Sequence, residues 1–309
     1  LYGRDVAPNH YALAEEFVLL DNFYCNGVNS ADGHAWVTEG NVTDYLEKSF
    51  GGFTRSYTWG DDALSYSSSG FIWDNVLAHG LSFRNYGEMD YAETVPAEAT
   101  FTEVYENFKA GGDAVSFTQK IGIGRLQQFT APDFPGWNMR IPDVLRAQRF
   151  LAELDDFAER GTFPNMTLIY LPQDHTSGTK PGQPTPEAHM ADNDLALGQI
   201  IEGLSESPFW PKMCIFVIED DPQNGFDHVL RGQPLHPASI GGEQLLQPDR
   251  RTPHDGPYPR NPAAQSAGRH VAPHERLLHE GPRFYALHNP TKYSSAGPAE
   301  PRTHQSKGR

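Results

Sequence analysis

Two short apolar runs, each stopped by acids and a histidine, constrain this chain more than any other feature. Residues 165–171 run into Pro172-Gln173-Asp174-His175-Thr176-Ser177-Gly178. Residues 214–218 run into Glu219-Asp220-Asp221, a Pro222-Gln223-Asn224-Gly225 turn, and then Asp227-His228. Both runs have the length and composition of buried strands. In an open α/β sheet, ligands bind at the carboxyl ends of the strands. Acids after a strand are often a plain solvated turn, and one Asp-His pair is commonplace. Two strands that deliver such pairs to one sheet edge would instead build a centre for a hard or borderline divalent cation.

The segments around these runs are helical. Residues 141–160 place Val144, Leu145, Phe150, Leu151, Leu154 and Phe157 near helical spacing, with Pro142 suited to the first turn. Residues 185–205 do the same with Met190, Leu195, Leu197, Ile200, Ile201 and Leu204. Helix, strand, helix, strand is the order of a parallel sheet with right-handed crossovers.

Upstream, residues 11–20 read as a helix that runs ambiguously into a strand at 18–24. A loop of small residues follows at 26–34, then a helix at 35–48. Residues 71–79 read as a helix and 81–86 as a strand. Residues 87–140, rich in Gly, Phe and Thr, read as an insertion or a lid. Gly27 and Gly33 allow close backbone approach to a ligand. Ser30 sits at a helix mouth, where a serine is either an N-cap or a nucleophile facing an anion held by helix N–H groups.

The 309 residues suffice for one large α/β domain or two small ones. A net charge of −16 argues against a nucleic-acid binder that works by phosphate neutralisation. No apolar run reaches the roughly 18 residues of a transmembrane helix. Cys25 and Cys214 give no disulfide framework, and Cys214 is expected to be a small buried hydrophobe. The sequence opens at Leu1 with no basic-then-apolar leader, so no signal peptide is read in it. There is no Gly-x-Ser-x-Gly elbow, and Gly122-Ile123-Gly124 lacks the third glycine of a dinucleotide fingerprint.

Charge changes sharply along the chain. Residues 229–309 hold 11 Lys and Arg against 6 Asp and Glu, with 7 of the 13 His and 12 of the 25 Pro. Residues 1–228 hold 13 basic against 34 acidic residues. The proline-rich tail is expected to be largely disordered. Its onset right after Asp227-His228 leads us to expect a shifted reading frame or another non-native origin for 229–309.

Taken together, Asp21-Asn22-Phe23-Tyr24 before a Ser-containing loop, the 171–178 motif, the helix segment 191–198 and the 219–225 motif resemble the bacterial phosphoesterase family. That family groups phospholipase-C-like and acid-phosphatase-like enzymes within the alkaline phosphatase superfamily. The resemblance covers roughly residues 1–228. It implies a doubly wound, mostly parallel α/β sheet, metal-dependent hydrolysis of phosphate esters, and an extracytoplasmic location. By position, Ser30 falls where the family places its nucleophile, and His175, Asp220 and Asp221 where it places metal ligands. Asp174, Asp227 and His228 are further ligand candidates. Asp32-Gly33-His34 replaces the family's usual Pro-Asn after the nucleophile, and His34 becomes a catalytic candidate. The family's first metal motif would lie upstream of residue 1, so the fold is expected to be incomplete and turnover weak or absent.

The resemblance implies a divalent cation (Zn, Mn or Ca) that neutralises the phosphate as a Lewis acid. Ser30 would attack phosphorus and give a phosphoserine that water clears. The expected substrate is a small phosphate ester or a phospholipid. The competing readings are a sulfatase or phosphonate hydrolase of the same superfamily, and a non-catalytic fragment or accessory domain.

Overall fold

The computed structural model describes residues 2–20, 29–50, 62–221 and the two-residue strand 240–241. Its helices are α1 (Pro8–Glu16), α2 (Ser30–Glu39), α3 (Asp44–Phe50), α4 (Ile72–Ala78), α5 (Phe101–Lys109), α6 (Asp143–Arg160) and α7 (Pro186–Glu206). Its strands are β1 (Phe83–Tyr86), β2 (Asp90–Val95), β3 (Ser116–Ile121), β4 (Met166–Ile169), β5 (Phe216–Val217) and β6 (Ile240–Gly241).

The two long helices form as their spacing predicts. Val144, Ala147, Phe150 and Leu154 of α6 meet Ala196, Ile200 and Leu204 of α7 in one buried cluster with Tyr86 and Phe134. Helix α6 ends at Gly161, whose φ of 68° is the left-handed stop. Helix α7 starts on Thr185, whose side chain accepts the Ala188 N–H at 3.2 Å, with Pro186 in the first turn. The helix expected at 35–48 is instead two. Helix α2 begins earlier, at Ser30, and stops at Gly40 with φ 65°.

β1 and β4 pair in parallel, with Tyr86 opposite Ile169. This establishes an α/β arrangement with a parallel strand pair. β2 and β3 pair antiparallel across α5, within the segment expected as an insertion or lid. β5 pairs antiparallel with β6, which falls inside the segment expected to lack strands. Among the described residues, β4 and β5 are therefore not neighbours in one sheet.

β5 also corrects an expectation. The run 214–218 alternates rather than lying buried throughout. Ile215 and Val217 pack toward Leu13, Leu197 and Ile201, while Cys214, Phe216 and Ile218 are exposed. Period-2 alternation is what a strand with one covered face requires.

A buried polar network fixes the exit of β4. Asp143, at the start of α6, accepts the Gln173 N–H at 2.9 Å and the Asn193 side-chain amide at 3.0 Å. Arg146 is fully buried. It donates to Asp143 and to the carbonyls of Pro135, Gly136 and Ile141. Together these bonds hold the 135–143 segment and the Pro172–His175 turn against the two helices.

Candidate functional site

Three backbone exits converge on the first turn of α2. Asn29 is the N-cap, and its side chain accepts the N–H groups of Ala31 and Asp32 at 2.9 and 3.3 Å. Capping therefore falls to Asn29, and the Ser30 hydroxyl donates instead to Asp221 Oδ2 at 3.1 Å. Gly33 faces the backbone of Asp220. A Cβ there would overlap the Asp220 carbonyl and lie 2.9 Å from its Cα, so a side chain would push α2 off the β5 exit.

His34 lies one turn along α2, largely buried. Its Nδ1 meets both Glu88 oxygens, at 2.9 and 3.1 Å, and its Nε2 lies 3.6 Å from Asp220 Oδ2. Tyr170, at the exit of β4, packs edge-on against the ring with centroids 5.3 Å apart. Burial alone would lower the imidazole pKa. The Glu88 charge and hydrogen bond outweigh burial, Asp220 and Asp221 add to them, and the ring is pushed up to about 9.

The acids are raised as well, which in their case favours the neutral form. Burial, then Asp220 and Asp221, pushes Glu219 up to about 7. Burial and Asp220 push Asp221 up to about 6, partly offset by the Ser30 hydroxyl, His175 and His34. Burial, then Glu219, Asp220 and Asp143, holds Asp174 well above the usual carboxylate range. His175 Nδ1–H donates to the Thr176 carbonyl at 3.0 Å, and the ring packs edge-on to Trp137 with centroids 4.8 Å apart. The residue after it, Thr176, has φ 57°, strained for a β-branched side chain.

Ser30, His34, Asp174, His175, Asp220 and Asp221 thus gather within reach of each other's charge. Asp227 and His228 lie outside the described residues. Among the described residues, no group of three or more His, Cys, Asp or Glu side chains is placed to hold a metal ion. The donor chemistry nonetheless suits a hard cation. Carboxylates such as Asp174, Glu219 and Asp221, raised by burial and then by neighbouring acids, are what a divalent ion would relieve. Sequence reasoning missed Glu88, Trp137 and Tyr170. The first two lie in the 87–140 segment, which carries no motif, and Tyr170 reads as one more apolar strand residue.

A helix mouth bearing a serine, set against acidic strand exits and a paired histidine, is an arrangement suited to an anionic ester. The comparisons place the chain accordingly. The model of the Phosphoesterase family matches residues 1–271, and the chain belongs to that family. The match runs past residue 228, into the basic tail. The chain is also 24% identical over 257 residues to a non-hemolytic phospholipase C of Burkholderia pseudomallei (strain K96243). That alignment covers 76% of this chain and 31% of the relative, so the chain spans about a third of the length of that protein. No solved structure matches the chain. Among the described residues, no helix is long and apolar enough to cross a membrane.

Proposed function

We propose that this chain is a phosphoric ester hydrolase that works through Ser30. The observation behind this reading is the Ser30–Asp221 hydrogen bond at the first turn of α2, made while Asn29 does the capping. Asp221 holds the hydroxyl proton. As Ser30 Oγ attacks phosphorus its proton passes to Asp221, the bond to the leaving oxygen breaks and that oxygen takes a proton from solvent. Water then cleaves the phosphoserine, with the Asp221 proton returning to Ser30 Oγ. The N-terminal end of α2 and the cationic His34 ring favour the phosphate charge.

Asp220, Asp221, His175 and Asp174 are the residues that would hold a divalent cation, with Asp227 and His228 as further candidates. When bound, the ion would neutralise the phosphate and lower the barrier to attack. In this reading, residues 1–228 carry the catalytic side chains on a doubly wound, alkaline-phosphatase-like sheet. Residues 87–140 are an insertion or lid beside it, and 229–309 lie outside the catalytic unit. The phospholipase C relative favours a phospholipid or small phosphate ester as substrate, and the family resemblance favours an extracytoplasmic location.

The test is aryl-phosphate hydrolysis by the purified chain, with and without a chelator, alongside elemental analysis of bound metal. Chelator-sensitive turnover that disappears in Ser30→Ala is the expected result. Turnover that survives Ser30→Ala would remove Ser30 as the nucleophile. Stoichiometric metal without turnover on phosphate, but with turnover on aryl sulfate, would move the chain to a different ester class.

A further inference from the structure

We infer that Glu88 is a positioning residue for His34. It holds a proton on Nδ1 and so fixes which ring nitrogen faces Ser30 and the acids. The inference rests on the phosphoesterase reading for its consequence in turnover, but its geometry stands independently.

Glu88 sits on a turn at the carboxyl end of β1, and three features hold that turn. The buried Asn85 side chain accepts the Glu88 N–H at 3.2 Å and donates to the Glu88 carbonyl at 3.0 Å. It also donates to Thr130 Oγ1 at 3.0 Å, which ties the clamp to the neighbouring loop. Gly87 has φ 91°, and a Cβ there would lie 3.0 Å from the Phe134 ring and 3.3 Å from the Gly136 Cα. Met89, immediately after Glu88, is held at φ 54°. A non-glycine residue in that region is strained and persists when its surroundings over-determine it.

The strained turn delivers a carboxylate that is itself nearly buried, and both its oxygens lie within hydrogen-bond distance of Nδ1. An ionised carboxylate only accepts, so Nδ1 must be the donor whatever the ring's charge state. Nε2 is then the nitrogen that points at Asp220, and Tyr170 packs edge-on against the ring. A simple ion pair that pins α2 would explain the distance but not this orientation. The helix is already fixed at the same turn by Ser30–Asp221 and by Gly33 against Asp220. Carboxylates that orient a working imidazole through its other nitrogen typically change affinity or rate by about 10–100-fold when removed.

The experiment compares the full chain with Glu88→Ala and Glu88→Gln. It reads kcat and KM on an aryl phosphate, and the His34 ring nitrogens by 15N NMR. Positioning predicts a fall in kcat of roughly 10–100-fold in Glu88→Ala, with KM within about twofold. Glu88→Gln, whose carbonyl can still accept from Nδ1, should recover most of kcat. A structural ion pair would weaken both variants alike. In the NMR arm, run above about pH 9 where the ring is neutral, the single proton sits on Nδ1 in the parent chain, and Glu88→Ala shifts it toward Nε2. Unchanged ring nitrogens in Glu88→Ala would overturn the inference. So would equal losses of kcat in the two variants. A parent chain without turnover, whose His34 nitrogens still respond to Glu88→Ala, would remove the phosphoesterase reading and leave the coupling standing.

Discussion

Two buried charged regions of this molecule behave differently. Beneath α6 and α7, Asp143, Arg146, Gln173 and Asn193 match donors to acceptors at each contact described above. At the β5 exit, Glu219, Asp220, Asp221 and Asp174 come together, and burial followed by the neighbouring like charges raises the pKa values of Glu219, Asp221 and Asp174. The first region positions the backbone. The second is kept at an electrostatic disadvantage, which is how groups that handle protons, anions or cations are commonly arranged. The contrast is one of balance: the network sets its raised acids, Asp143 and Asp192, beside the Arg146 cation, whereas the β5 exit gathers four acids around His34 and His175.

The largest expected effect falls on the acidic side. Ser30→Ala should lower turnover by roughly 10³-fold or more, with a loss of only about 1 kcal/mol in stability from the Asp221 hydrogen bond. A comparable loss of stability would instead mean that Ser30 belongs to the scaffold. Next, Arg146→Met should cost about 3–5 kcal/mol in denaturant unfolding, because it strands Asp143 and several carbonyls in the interior. A cost below about 1 kcal/mol would show that the matched network is less buried than the contrast requires. Gly33→Ala should cost about 1–3 kcal/mol through overlap with the Asp220 backbone, and should reduce turnover as well. Loss of turnover at full stability would shift Gly33 from packing to dynamics.

The smallest effect is on pH dependence, and its sign can be worked out. Glu219 at about 7, Asp221 at about 6 and His34 at about 9 all lie above their unfolded values. Between about pH 5 and 9 the folded chain therefore holds protons that the unfolded chain would release, and stability falls as pH rises. Asp192, raised to about 8 by burial and by Asp143, adds in the same direction from within the network. Below about pH 6.5 the buried His189, lowered to about 4, opposes them as pH falls. Metal-free melting temperatures should thus decline by a few degrees from pH 6 to 9. Added divalent cation should flatten the decline if the acids hold it. A decline of equal slope with and without cation would sink that part of the comparison.

Sequence reading captured the parts governed by local pattern. The period of α6 and α7, the Pro-bounded exit at 172–175 and the acids after β5 are all written in neighbouring residues. What it missed depends on closure of the chain. Glu88 meets His34 across 54 positions, and no spacing rule links them. Trp137 reaches the site because Arg146 holds its loop, again through tertiary contacts. Cys214 was misplaced because five apolar residues in a row look the same whether a strand is covered on one face or two. Ser30 was legible as a residue at a helix mouth, but its choice between capping and chemistry needed Asn29 to be seen in the cap.

The close seat of Gly33 on Asp220 has a consequence for biosynthesis. Ser30 and its acidic partner are separated by 191 positions, so the working half-sites emerge from the ribosome far apart in time. Loop closure over such a span is slow and comes late in folding. If Ser30 acts as proposed, it would remain idle through most of synthesis and become competent only once the β5 exit docks. Nascent chains halted before residue 219 should therefore be silent toward phosphate esters, however well their first helices have formed.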